Sequence, residues 1–327
     1  VAIPMFRTEL NIAPAYHKIS LQDQVISIGS CFSENIGERL KENKFNALAN
    51  PLGIVYNPVS LFNILNYACN NIFPPEESYV KHKGIFYNLE LHSDFSHKDH
   101  EVLRSRVEKH FSTTHEFLKS TEWLIITLGT AYVYEYLQTG NIVNNCHKIP
   151  AKEFTKKLLS PKQIVIAFEF LCRELKVLNN DIKIIFTISP VRHLKETLEG
   201  NMLSKAILRV AIEQLKDNHP GIDYFPSYEI MMDDLRDYRF YNEDMIHPSK
   251  VAIDYIWEKF IEKYFDPGAN QFLKDWEKIL KALQHKPFHP DASSHQEFLK
   301  KTIEQLYNLQ EKVDITEELE ILKKQVK

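Results

Sequence analysis

The chain has 327 residues, a formal net charge of −4 and 44% hydrophobic residues. This length and hydrophobic content favour one large α/β domain, alone or with an appendage. The charge argues against a nucleic-acid or acidic-membrane partner, and no apolar run reaches transmembrane length. Four cysteines are scattered without a CxxC pair, which predicts a reduced, cytoplasmic protein.

The first half of the chain begins with a strand and helix pattern after an irregular lead-in. The β-branched run at 24–29 predicts a buried strand, and residues 33–43 predict a helix with Ile36 and Leu40 on one face. Further helices are predicted over 59–71 and 99–120. Short aromatic runs at 78–97, between those two helices, predict a hairpin or lid.

The second half repeats the alternation of buried strands and helices. The elements predicted in chain order are a strand at 123–129, a hairpin within 132–146, a long helix over 153–177, a strand at 182–188, a helix over 201–217, a short strand at 223–225 and a helix over 249–264. After Pro267 the pattern is mostly helical.

This alternation predicts a three-layer α/β/α fold with a central parallel sheet and a helical C-terminal extension. We expect one domain over 1–265, with insertions near 78–97 and 132–146, and the extension over 266–327. The apolar stripes of the extension are a candidate homodimer surface. In parallel sheets the site lies beyond the carboxyl ends of the strands. That rule places Cys31, residues 129–130, residues 189–193 and the loop 244–247 on one edge.

The stretch 25–37 contains the first candidate catalytic residue. An apolar strand stops at Gly29, Ser30 and Cys31 follow, and a helical pattern then begins. A helix N-terminus offers free N–H groups and a positive dipole end, which favour a thiolate and can hold an oxyanion. Cys31 is therefore the predicted nucleophile and Ser30 its rival. The alternative is a small buried thiol that fills a tight turn.

Asp244 and His247 form the second candidate motif, in Asp244-Met245-Ile246-His247-Pro248-Ser249. An Asp three residues before a His can accept from the imidazole Nδ1–H, so that the other ring nitrogen acts as the base. The alternatives are a loop-locking histidine and a turn-capping aspartate.

The order of these motifs resembles the SGNH (GDSL-type) hydrolase superfamily. Within it, Gly29-Ser30-Cys31-Phe32 resembles the GSCFA family, with Ser33 in place of the final Ala. The resemblance covers roughly residues 6–265 and includes these further segments: the Phe6-Arg7-Thr8 start, the loop 50–58, Asn145-Cys146-His147-Lys148 and Ser189-Pro190-Val191-Arg192-His193. It implies an SGNH or flavodoxin-like sheet.

The resemblance also implies roles for individual residues. Cys31 stands where the superfamily has its serine nucleophile, and Gly53 where it has a glycine oxyanion donor. Gly129 and Thr130 match the start of its GxND block, but Ala131 replaces the oxyanion Asn. Loss of one such donor typically costs about two to three orders of magnitude in rate. Thr130 and Asn57 are candidate substitutes.

The sequence leaves alternative roles for three further groups of residues. Arg192 suits a substrate carboxylate or phosphate, or a structural ion pair, and His193 beside it lies on the same expected edge. Cys146 either brings a second thiol to the site, with His147 beside it, or is a half-buried strand residue followed by a surface histidine. His92 and His97 suit a lid better than a ligand set.

The leading hypothesis is an acyl-transfer enzyme, an esterase or acyltransferase, acting on a small-molecule or carbohydrate acyl substrate without a cofactor. The carbohydrate acceptor rests on analogy with the superfamily. One alternative is an inactive binding protein on an SGNH scaffold, favoured by the missing oxyanion Asn. The other is a metal site of Cys31, His247 and Cys146 or His147, against which the lack of a close-spaced ligand pair argues.

Overall fold

The computed structural model describes residues 8–326, and the strands and helices lie in the order the sequence predicts for an α/β fold. The strands are β1 (Gln24–Gly29), β2 (Asn46–Ala49), β3 (Tyr79–His82), β4 (Ile85–Asn88), β5 (Ser96–His97), β6 (Trp123–Leu128), β7 (Tyr132–Tyr136), β8 (Ile142–Val143), β9 (Phe154–Leu158), β10 (Lys183–Ile188) and β11 (Ile222–Phe225). The α-helices are α1 (Cys31–Glu42), α2 (Pro58–Cys69), α3 (His100–Leu118), α4 (Pro161–Leu178), α5 (Thr197–Asn218), α6 (Ser227–Glu229), α7 (Lys250–Tyr264), α8 (Pro267–Gln284), α9 (Ser293–Tyr307) and α10 (Thr316–Lys323).

Five of these strands form a parallel central sheet in the order β2-β1-β6-β10-β11. Counted along the chain, this is the 2-1-3-4-5 order of flavodoxin-like sheets. The order reverses between β1 and β6, where Gly29 lies opposite Thr127. The loops that leave a sheet on either side of such a reversal open a crevice. Because α1 follows directly after β1, its first residues lie beside this crevice.

The sheet is covered on both faces, as the fold prediction requires. Alternate residues of one strand face opposite layers. Ile26 and Ile28 of β1 join the apolar cluster that contains α2, α3, α4 and α5 residues, whereas Val25 joins the cluster that contains α1 and α7 residues. The three-layer α/β/α prediction is therefore confirmed.

Two small antiparallel sheets, β3-β4-β5 and β8-β7-β9, stand outside the central one. The first occupies the predicted hairpin or lid at 78–97. The second corrects the helix predicted over 153–177, because Phe154–Leu158 forms β9 and pairs with β7. The helix α4 begins only at Pro161, where the Ser160 side chain accepts from the Gln163 N–H in a capping box.

The helices α8, α9 and α10 form the C-terminal region and share their own apolar cluster. Trp276 of α8 is fully buried, and its indole N–H donates to the carbonyl of Glu42 at 2.9 Å. Lys44 forms an ion pair with Glu318 at 2.7 Å. In the part of the chain described, no helix is long and apolar enough to cross a membrane.

Candidate functional site

Gly29 determines the geometry of the turn between β1 and α1. Its φ is +135°, and a Cβ at this position would overlap the carbonyl oxygen of Thr127. The Ser30 N–H donates to that same oxygen at 3.1 Å. Only glycine permits this approach of β1 to β6, and the approach places Cys31 at the first residue of α1.

The Cys31 thiol is partly buried, and burial raises its pKa above the ordinary value. The N–H groups of Phe32 and Cys31, together with the charge of Lys205, act in the opposite direction without overcoming burial. From the sequence alone, the helix N-terminus predicts that Cys31 favours the thiolate. In the structure burial outweighs this effect, so the surroundings of Cys31 favour the thiol over the thiolate.

Ser30, the rival nucleophile, is less accessible than Cys31. Only 1% of its surface is exposed, and its hydroxyl has no hydrogen-bond partner among the described residues. A substrate can reach the partly exposed Cys31 more readily, which favours Cys31 of the two.

The Asp244 carboxylate is tied to His247 through both of its oxygens. Oδ1 accepts from the N–H groups of Ile246 and His247, and Oδ2 lies 2.6 Å from His247 Nδ1. The backbone N–H of His247, followed by its side chain and the Ile246 N–H, lowers the pKa of Asp244 to about 2. This arrangement orients the ring and leaves Nε2 without a hydrogen bond among residues 8–326.

The loop that carries His247 is half open to solvent, and the His247 side chain is 47% exposed. Arg192 joins this loop to the end of β10, because its backbone N–H donates to the Ile246 carbonyl at 3.3 Å. Within the described chain, no hydrogen bond joins Cys31 Sγ to the His247 ring. The predicted nucleophile at the start of α1 and the predicted base in the 244–247 loop are thus not hydrogen-bonded to each other in this structure.

His193 and Arg192 differ in environment although they are adjacent. Burial, and then the charge of Lys205, lowers the pKa of His193 to about 3. The Arg192 guanidinium lies 4.1 Å from the ring centre of Tyr241 and 5.3 Å from that of Tyr238. It forms no ion pair with the described residues, so its charge is available to an anionic group. Arg192, Tyr238 and Tyr241 line a cavity of about 60 Å³.

The predicted oxyanion donors are engaged elsewhere. The Gly53 N–H donates to the Asn50 carbonyl at 2.8 Å, and the N–H groups of Gly129 and Thr130 both donate to the Tyr56 carbonyl. The Asn57 side chain caps α2 by accepting from the Ser60 N–H at 2.9 Å. These residues shape the loops around Cys31, but their donors are occupied.

His147 holds the small sheets together. Its Nε2 lies 2.7 Å from the Asn88 carbonyl, its ring stacks on Tyr87, and burial lowers its pKa to about 4. Cys146 packs with Leu89 and its neighbours in a separate apolar cluster. Among residues 8–326 no three His, Cys, Asp or Glu side chains are grouped so that they could hold a metal ion.

Lys205 of α5 is the residue that the sequence reasoning missed. Its side chain is buried, and Nζ donates to the carbonyls of Gly129 at 2.8 Å and Ser189 at 2.7 Å. The signal was present in the spacing, since Asn201, Lys205, Leu208 and Ile212 share the buried face of one helix. A lysine on such a face is unusual and marks a candidate site residue.

Two family models match the chain. The GSCFA family matches residues 24–260, and the model described as "GSCFA domain protein, C-terminal domain" matches residues 276–327. A search of curated proteins finds no match. The first match contains the Gly29-Ser30-Cys31 turn, Lys205 and the Asp244–His247 loop.

Proposed function

The chain belongs to the GSCFA family, and we propose that it is an acyl-transfer enzyme, an esterase or acyltransferase, with an SGNH-type site. Cys31 is the nucleophile, His247 the base and Asp244 the residue that orients the base. The substrate is an ester or thioester of a small molecule or carbohydrate. The proposal includes a cytoplasmic location, since free cysteines persist in reducing compartments.

One observation carries this proposal. The 2.6 Å contact between Asp244 Oδ2 and His247 Nδ1 orients an imidazole whose other nitrogen has no hydrogen bond in the described part of the chain. The loop of this pair is bonded to the end of β10, on the sheet edge where Cys31 begins α1. A nucleophile, a base and an orienting carboxylate on one edge are the components of acyl transfer.

The proposed reaction has two steps. His247 Nε2 takes the Cys31 proton as Sγ attacks the acyl carbonyl, and the same proton passes to the departing alcohol or thiol. Water or an acceptor hydroxyl then attacks the acyl-cysteine, gives its proton to His247, and releases Cys31 as the proton returns to sulfur. The N–H groups of Cys31 and Phe32, which act on Sγ, are the proposed oxyanion donors.

A second candidate function is ligand binding without catalysis. The observation that favours it is the engagement of the Gly53, Gly129 and Thr130 N–H groups, together with Ala131 at the position of the expected Asn. In that case Cys31 would never become acylated.

Incubation with an activated acyl ester, followed by intact and peptide mass analysis, tests the proposal. We expect one acyl group on Cys31, none at that position in Cys31→Ala, and unchanged labelling in Ser30→Ala. In His247→Ala we expect acylation slower by about two to four orders of magnitude. Cys146→Ser is the matched thiol control and should behave as the wild type.

The outcomes separate the two functions. An unlabelled wild type, or equal labelling of wild type and Cys31→Ala, would support the binding protein over the enzyme. Labelling on Ser30 would transfer the nucleophile role to that residue.

A further inference from the structure

Lys205 is buried, and its charge acts on the proposed nucleophile Cys31. Its Nζ bonds the carbonyls of Gly129 and Ser189, which are the first residues after β6 and β10. No carboxylate lies within ion-pair distance of it among the described residues. Carbonyl dipoles satisfy N–H groups but supply no full counter-charge, and a buried ammonium without one is costly.

The strand register places Lys205 close to Cys31. Gly29 of β1 lies opposite Thr127 of β6, and Cys31 and Gly129 each follow two residues later. Neighbouring strands are about 4.8 Å apart. A group that bonds the Gly129 carbonyl therefore lies beside the start of α1, where the sulfur is attached.

The hydrogen bonds of Lys205 leave one position on nitrogen open. An ammonium has three N–H donors, and two of them are used by the two carbonyls. No third acceptor bonds Nζ within residues 8–326, so the remaining N–H is available to a negative charge. The Tyr228 ring, 5.5 Å from Nζ, covers the ammonium.

We propose that Lys205 is the counter-ion of the Cys31 thiolate, held under the sulfur by the carbonyl ends of β6 and β10. The proton leaves Sγ for His247 in the enzyme reaction, or for solvent when substrate is absent, and no bond to Lys205 breaks. Lys205 acts on the reacting sulfur by its charge. Its place in catalysis rests on the proposed function, but the thiolate itself is measurable without any acyl substrate.

The titratable groups around the pair support this assignment. The charged Lys205 lowers the pKa of Cys31, and burial lowers the pKa of Lys205 to about 7 although the Cys31 thiolate acts in the opposite direction. The charge of Glu34 on α1 acts in the opposite direction and raises the pKa of Cys31. The other titratable groups near the pair among the described residues are Tyr56, His193 and Tyr228, with His247 and Lys195 beyond His193. His193 is neutral near pH 7, so it adds no competing cation.

The first test measures alkylation of Cys31 by iodoacetamide from pH 6 to 10, read by peptide mass spectrometry. In Lys205→Met we expect the midpoint of the profile to move to higher pH by about one unit, with about a tenfold slower reaction near neutral pH. Lys216→Met, on an outward-facing part of the same helix, is the control and should superimpose on the wild type. A Lys205→Met profile equal to that of the wild type would overturn the proposal.

The second test does not depend on the folding of the Lys205 variant. The ammonium of Lys205 is titrated by NMR of ¹³C-lysine-labelled protein, in the wild type and in Cys31→Ala. We expect the ammonium to be lost at lower pH in Cys31→Ala, because the thiolate that stabilises it is gone. Superimposable titration curves would show that the two groups are not coupled and would overturn the proposal.

The failures of the two proposals are distinguishable. A Lys205-dependent alkylation profile without any acyl-cysteine supports the counter-ion and contradicts acyl transfer. An acyl-cysteine that forms with a Lys205-independent profile contradicts the counter-ion and supports acyl transfer.

Discussion

At the scale of single residues, the site depends on backbone space at Gly29. Glycine at this position lets β1 approach β6, and the approach directs the chain into α1 with Cys31 at its first turn. Asn50 reinforces the turn, since its side-chain oxygen accepts from the Gly29 N–H at 2.9 Å. One side-chain atom at residue 29 would therefore disturb both the sheet and the position of Cys31.

We expect Gly29→Ala to lower the free energy of unfolding by more than about 3 kcal/mol, through the overlap with Thr127 and the strained φ. Gly84→Ala is the matched control. Its φ is +81° and no atom lies within 4 Å of the added Cβ, so only the backbone cost of about 1 kcal/mol applies. Urea unfolding measures both variants, and equal losses would contradict the steric argument.

At the scale of elements, Glu90 links the sheet β3-β4-β5 to α2. The Tyr67 hydroxyl of α2 donates to Glu90 Oε1 at 3.2 Å. Burial raises the pKa of Glu90 to about 7, although the bond from Tyr67 acts in the opposite direction. The folded protein therefore retains a proton between pH 4.5 and 7 that the unfolded chain releases, and stability falls as pH rises through this window.

Glu90→Gln should remove that loss of stability because the amide does not ionise. We expect the free energy of unfolding of the variant to rise relative to that of the wild type as pH increases from 4.5 to 7. The difference should reach up to about 3 kcal/mol at pH 8. Denaturant unfolding at several pH values measures the gap. A gap that does not change between pH 4.5 and 8 would show that Glu90 ionises as freely in the folded protein as in the unfolded chain.

At the scale of the whole molecule, the C-terminal helices pack against the far end of the helix that carries Cys31. The Trp276 indole N–H bonds the carbonyl of Glu42, the last residue of α1, and the Lys44 ammonium lies 5.3 Å from the indole ring centre. The region after Pro267 is thus joined to the sheet domain through this buried aromatic side chain, through the ion pair between Lys44 and Glu318, and through Ala269 and Leu273, which lie in the apolar cluster of α1 and α7.

Trp276→Ala should lower the free energy of unfolding by about 3–5 kcal/mol, because it leaves a cavity and an unbonded carbonyl. Phe288→Ala is the control, since Phe288 is 98% exposed and should change stability by less than about 0.5 kcal/mol. Guanidinium unfolding followed by far-UV circular dichroism measures both. An unchanged transition in Trp276→Ala would mean that the two regions unfold independently.

The local pattern of the sequence was sufficient for the main elements of the fold. The β-branched runs at β1, β6 and β10 predict buried strands because both faces of a parallel sheet are covered. It was insufficient for β9, where Phe154–Leu158 follows no strict alternation and is held as a strand by its pairing with β7. The strand β2 was also missed, since its four residues carry a weak pattern.

By itself the sequence determined the three-layer fold, the glycine turn before Cys31 and the Asp244–His247 spacing, because each depends on residues close together in the chain. Only the tertiary structure decided which backbone donors are occupied and that the buried Lys205 is close enough to lower the pKa of Cys31. The Gly129 N–H donates to the carbonyl of Tyr56, and the Lys205 ammonium donates to carbonyls that are 16 and 76 residues away in the chain. Such partners are set by how the strands and helices pack, a property that local periodicity does not contain.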